Sequence, residues 1–246
     1  MPKKWLFLSG ILVCLCWVHS CLAGMFLELE DSQSGRFYFA CQDGSFKLGT
    51  EEGYTLINLQ KETFYTVYPK EKIYTGGSLK ELEAAMAPLK KQLQQFKNMG
   101  LDPSVFLEKG TPKIPNITYK LTKQRAEILG YPAVSYLELE NGRPVAEVWV
   151  SQKALEQIEQ SCSYQAFFRF MEHLRDMMSS SLGVKLLDTP EDLFQSELTG
   201  FPLKITYRGG KILEVKKLER KHLPASFFEV PRGFKKRSFG PVNMGY

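Results

Sequence analysis

The stretch GYPAVSYLELENGRPVAEVWVS, Gly130–Ser151, decides how the chain is read. Apolar and polar residues alternate on both sides of Asn141-Gly142, and the second arm ends in Trp149. Strand side chains alternate faces, and Asn-Gly suits a two-residue turn of positive φ, so the stretch predicts a β-hairpin with a buried face. Trp149 is expected on the core side, with Val148 and Val150 on the opposite face. The hairpin leaves one question open: whether its buried face meets a plain core or a cavity.

Upstream, the segments MFLELED, GRFYFACQ, SFKLGT, YTLINL, ETFYTVYP and EKIYTG follow one another across turn-like separators of two to four residues. Connections this short make neighbouring strands antiparallel and predict a meander of about six strands. Phe37 and Phe39 share one face, as do Phe64, Thr66 and Tyr68, so one filled face is expected. A helix follows, in which Ser78 and Glu81 form a capping box and Leu79, Leu82, Met86, Leu89, Leu93 and Phe96 form an apolar stripe. Pro88 predicts a kink or two short helices, and Gly100 a stop.

Downstream of a Pro-containing connector, ITYKLTK and RAEILGY lead into the hairpin. A long helix over Lys153–Ser181 comes next, carrying Leu155, Ile158, Cys162, Phe167, Phe170, Met171, Leu174 and Met178 on its stripe. A short helix is expected at TPEDLFQSEL, capped by Thr189 with Pro190 at its first position. FPLKITYR and ILEVKKLER then form a last hairpin around Gly209-Gly210. The order of strands, helix, strands, helix, strands predicts an α+β fold built on an antiparallel sheet.

The first 23 residues have the layout of an export signal: basic Lys3-Lys4, the apolar run WLFLSGILVCLCWV, then HSCLAG with small residues at the cleavage positions. The run is shorter than the ~20 residues of a membrane span. Cleavage after Ala23 leaves a single domain over 24–236 and a tail over 237–246. The competing reading is lipoprotein processing, with Cys21 as the acylated first residue. The expectation is a periplasmic or otherwise exported protein, touching a membrane only through such an anchor. Outside the signal only Cys41 and Cys162 remain, and an oxidising compartment would allow them to pair. Buried free thiols are the alternative.

Lys and Arg number 32 against 27 Asp and Glu. Without the signal the balance is about +3, too mild and too scattered for a nucleic-acid surface. There is no Gly-x-Ser-x-Gly elbow, no phosphate-binding Gly-rich loop, and no His/Cys spacing suited to zinc. His173 and His222 lie in no acid–base pattern. Neither an enzyme nor a cofactor is expected.

The motifs carry a resemblance. Gly130, Tyr131, Tyr136 and Trp149, then Gly200, Pro202 and Leu203, then Phe228, Val230, Pro231, Gly233 and Phe234 resemble the exported bacterial proteins of domain-of-unknown-function family 4412. The likeness runs over roughly Gly24–Lys236 and is stronger in the C-terminal half. It implies a fold similar to the LolA, LolB and RseB group, an incomplete antiparallel barrel covered by helices. Such a barrel can enclose an apolar cavity. On that implication Phe167, Met171, Leu174 and Met178 line a pocket for a lipid, a lipoprotein or another apolar ligand. Spaced helically, the same residues also suit an ordinary core. The protein would then be an interaction or sensor module docking onto another envelope protein, with a filled core and no ligand.

Overall fold

The computed structural model describes residues 23–99, 116–182 and 198–237. The signal region with Cys21, the connector 100–115, the segment 183–197 with the helix expected at Thr189, and the tail 238–246 lie outside the described residues.

Among the described residues, twelve strands form one open sheet. The meander is β1 (Gly24–Asp31), β2 (Gly35–Gln42), β3 (Ser45–Gly49), β4 (Tyr54–Asn58), β5 (Thr63–Tyr68) and β6 (Ile73–Ser78). Helix α1 spans Leu79–Asn98 and is followed by β7 (Ile117–Ile128), β8 (Tyr131–Glu140) and β9 (Arg143–Ser151). Helices α2 (Gln152–Ser161) and α3 (Tyr164–Leu182) precede β10 (Phe201–Tyr207), β11 (Ile212–Lys221) and the two-residue β12 (Lys235–Lys236). The strand order is β12-β6-β5-β4-β3-β2-β1-β11-β10-β9-β8-β7. All pairings are antiparallel except β12 on β6. The joint between the halves is β1 against β11, so the first strand of the meander closes onto the last hairpin. This is an α+β fold with a large, mostly antiparallel sheet.

Local chemistry accounts for the turns and caps. Asn141 and Gly142 have φ of 50° and 79°, as a primed two-residue turn requires, and β8 pairs with β9 across them. The capping box forms: the Ser78 N–H donates to Glu81 at 2.8 Å, and the Glu81 N–H donates to the Ser78 hydroxyl at 3.1 Å. Gly76 sits at φ +115°, and a Cβ there would meet the Phe64 carbonyl oxygen, so this place in β6 requires glycine.

Two expectations about helices change. Pro88 lies inside an uninterrupted α1 rather than splitting it. The long helix over Lys153–Ser181 is two helices, because Cys162 takes an extended conformation (φ −138°, ψ 139°) between them. The break has a use. It turns Cys162 towards β2, where it forms a disulfide with Cys41, the two Cα atoms 5.7 Å apart.

The helices lie on one face of the sheet. Met25, Leu27 and Leu29 of β1, Phe46 of β3, Leu203 of β10 and Val215 of β11 are buried there with Ala154, Ile158, Phe167 and Phe168 of α2 and α3. The outer face has two smaller cores. One gathers Tyr136, Val148, Val150 and Ile205, with Leu198 and Tyr119 against them. The other gathers Tyr54, Leu56 and Val67, covered by Val230 and Phe234 of the C-terminal segment. The meander therefore fills both faces, not the single one its Phe64–Thr66–Tyr68 alternation suggests. Trp149 points to the helix side and is partly buried, while Val148 and Val150, at 0% and 1% exposure, are the deeper pair.

Candidate functional site

The expected site lies between sheet and helices, and rings occupy it. Phe167 is 4.7 Å from Phe46, 5.7 Å from Phe39 and 5.4 Å from Phe168, measured between ring centroids. Tyr164 stands edge-on to Phe168 at 4.5 Å and to Phe201 at 5.9 Å. Phe39 and Phe46 come from neighbouring strands, and Phe167 and Phe168 from adjacent positions of α3, so the widened apolar arc of that helix meets aromatic side chains from the sheet. Phe167 is buried in this cluster, and Met171 and Leu174 are partly buried at its margin with Met177. The side chain of Met178 lies outside the described residues. Phe167, Met171 and Leu174 border neither of the two clefts described next.

Open space lies on the other face. The larger cleft, about 720 Å³, runs between β3–β6 and the C-terminal segment. Its sheet wall includes Asn58, Thr63, Tyr65 and Tyr74, and its other wall His222, Phe228, Glu229 and Val230. Tyr65 and Tyr74 meet edge-to-face at 5.7 Å. A second cleft of about 610 Å³ is bounded by Phe26, Glu28, Arg36, Tyr38, Glu51 and Glu52.

Between the clefts, a lysine fastens the C-terminal segment to the sheet. The Lys47 ammonium is 4.0 Å from the Tyr54 ring centre, 4.2 Å from that of Phe227 and 5.6 Å from that of Tyr38. Three ring faces replace water around this cation. Burial lowers the Lys47 pKa below the usual lysine range. The same burial, with Tyr54 and Glu51 adding to it, pushes the Tyr38 hydroxyl up to about 12. Gln42 adds a second fastening, its side-chain carbonyl accepting from the buried Leu223 N–H at 2.8 Å.

Two carboxylates elsewhere are shifted in opposite directions. Asp31 is held below the usual range, chiefly by the Lys211 ammonium at 2.9 Å and also by the N–H groups of Gln33 and Ser34, while burial opposes them. Glu138 is raised by burial, against which the Tyr119 hydroxyl, donating at 3.3 Å, pulls it down. Neither has a partner nucleophile in reach among these contacts. His173 and His222 are exposed. Among the described residues no three His, Cys, Asp or Glu side chains converge to hold a metal ion, and no helix is long and apolar enough to cross a membrane.

The sequence pattern points to the Phe/Met face of α3 and passes over Tyr65, Tyr74, Phe228 and Glu229. A signal is nonetheless present: Tyr65 and Val67 alternate with Phe64 and Thr66, so β5 has two faces with apolar bulk.

Residues 116–234 match the model of DUF4412, a domain of unknown function, which is the family that the hairpin and the closing motif resemble. No curated protein matches the chain. Among solved structures, an uncharacterized conserved protein from Thermus thermophilus is 8% identical with a TM-score of 0.40, over 94% of this chain and 99% of that one. PNGF-II, in its P21 form, is 10% identical with a TM-score of 0.38, over 88% of this chain. This chain spans 31% of the length of PNGF-II.

Proposed function

We propose that this protein is a non-enzymatic recognition module of the cell envelope, with a filled interior and a binding surface on the outer face of its sheet. One observation carries the reading. Phe39, Phe46, Phe167 and Phe168 stack against one another where a ligand cavity would have to lie. A protein interior is packed to the density of an organic crystal, so a ligand the size of an acyl chain could enter only by displacing such rings. Export is part of the proposal. It is supported by Lys3-Lys4 followed by the apolar run to Val18, and by the disulfide, a bond that persists in oxidising compartments. The LolA-like reading of the sheet belongs here too, supported by the helices lying on one face of an antiparallel sheet.

Native mass spectrometry of protein purified from its own host, with lipid extraction, tests the filled interior. The expected species is the bare polypeptide. A stoichiometric lipid would overturn the reading in favour of the apolar-ligand carrier, which the half-buried Met171, Leu174 and Met177 at the margin of the cluster favour. N-terminal sequencing of the exported form tests the compartment: a start at Gly24, or an acylated Cys21, supports export, and an intact Met1 on the folded protein counts against it.

A further inference from the structure

We propose that the cleft between β3–β6 and the C-terminal segment is a binding site for a short, neutral carbohydrate. The proposal rests on the recognition reading above and assigns the ligand class of its surface. The volume, about 720 Å³, suits a few sugar rings. Three aromatic side chains border it: Tyr65 and Tyr74 from the sheet, and Phe228 from the facing segment. A pyranose presents a face of C–H groups that packs on such rings, and hydroxyls around its edge that need donors and acceptors. Thr63 from β5 and His222 and Glu229 from the opposite wall supply those around the rings.

Charge and backbone pairing narrow the class. Lys61 stands against Asp43 and Glu229, so the lining carries both signs and selects neither a strongly anionic nor a strongly cationic ligand. An extended peptide would bind by adding a strand to an open edge. Beneath the cleft, β3, β4 and β5 are each paired on both sides, and β6 is paired with β5 and with β12. β12 covers β6 at Ile73 and Tyr74, the latter being the β6 residue in the cleft lining. Recognition there therefore falls to side chains over paired strands, which suits a polyol better than a peptide backbone. A lipid is disfavoured because Asp43, Lys61 and Glu229 stand in the same lining as the apolar Leu56, Ile57 and Val230.

Saturation-transfer NMR on the full, disulfide-bonded chain tests this, with cellotetraose, chitotetraose and maltotetraose as probes. At least one should receive saturation on its ring C–H protons. Tyr65→Ala should weaken that probe roughly tenfold, the scale of a lost aromatic contact. Because Tyr65 also packs against the outer core, the exposed Glu229→Gln is the second variant. It should weaken binding several-fold at an unchanged melting temperature. No transfer to any probe, or transfer that survives both substitutions unchanged, overturns the carbohydrate assignment. The recognition reading is judged separately, because a bare polypeptide in native mass spectrometry supports it whatever the sugars do.

Discussion

Cys41, near the end of β2, and Cys162, in the break between α2 and α3, are joined by a disulfide that closes 121 residues of chain. Both residues are buried, at 0% and 3% exposure, so the bond lies inside the core it fastens. Cross-linking over so long a loop restricts the unfolded chain, and replacing both cysteines by Ser should cost about 2–5 kcal/mol. Thermal unfolding of the variant against the parent measures it. Intact mass after alkylation with and without reductant checks that the bond is present.

That bond also shows what the sequence can and cannot reveal. From sequence the pairing is one of two open alternatives: Cys162 on the apolar face of a helix over Lys153–Ser181 can meet the strand that ends in Cys41, but sequence alone supplies no geometry for the pair. Ser161 and Ser163 flank the break, but neither is a strong helix terminator, and tertiary contact with β2 decides the geometry. The hairpin at Asn141-Gly142, the six-strand meander and the Ser78–Glu81 cap are legible because local chemistry fixes each of them. The candidate cleft is not. Its walls come from β3–β6 and from the segment after β11, and only the closure of the sheet through β1 and β11 brings them together.

Phe167 separates a core residue from the wall of an occupied pocket. It is 4% exposed and touches rings from two strands and from its own helix. Phe167→Ala should cost about 3–5 kcal/mol, by lost transfer energy and the cavity left behind. The urea midpoint of unfolding reads the loss directly. A change below about 1 kcal/mol would show that the ring is dispensable to packing, contrary to its contacts.

On β9 the phase of alternation can be tested by two substitutions one residue apart. Trp149 is partly buried against the helix-side core, so Trp149→Ala should cost about 3 kcal/mol, the low end for a large ring. Val148 is fully buried on the opposite face, and Val148→Asp would bury a charge without a partner. It should be the more damaging change. Chemical denaturation of both variants checks the order, and a reversed order would show that the two faces are assigned the wrong way round.

The two shifted carboxylates predict opposite pH dependences. Asp31, held low by Lys211 first of all, favours its charged form in the fold. The stability it contributes is present above the ordinary Asp pKa of ~3.9 and is lost as pH falls through the lower folded value. Glu138, raised by burial, favours its neutral form. Its contribution is present below the ordinary Glu pKa of ~4.3 and is lost as pH rises through the raised folded value. Urea midpoints at pH 3, 5 and 7 should therefore show Asp31→Asn losing stability mainly at pH 7. Glu138→Gln should gain at pH 7 and change little at pH 3.

The last test concerns how the C-terminal segment is held over the outer face. Lys47 grips Phe227, Gln42 grips the Leu223 N–H, and the Lys235 N–H and Arg237 N–H donate to the carbonyls of Lys72 and Tyr74 at 3.0 and 2.8 Å. Val230 and Phe234 pack on the outer core, and Lys236 reaches Glu81 at 3.3 Å. The segment is thus attached at several places along its length, and removing one should loosen its own stretch before the others. Phe227→Ala takes away a cation–π contact and leaves a half-buried ammonium facing only the two tyrosines. Gln42→Ala leaves a buried N–H without its acceptor, a cost of about 1–3 kcal/mol. Hydrogen exchange resolved by peptide should show faster exchange over 222–230 in both variants, while α2, α3 and the β8–β9 hairpin keep their protection. Uniformly faster exchange across the sheet would mean that the segment is an integral part of the global fold rather than a separately fastened wall of the cleft.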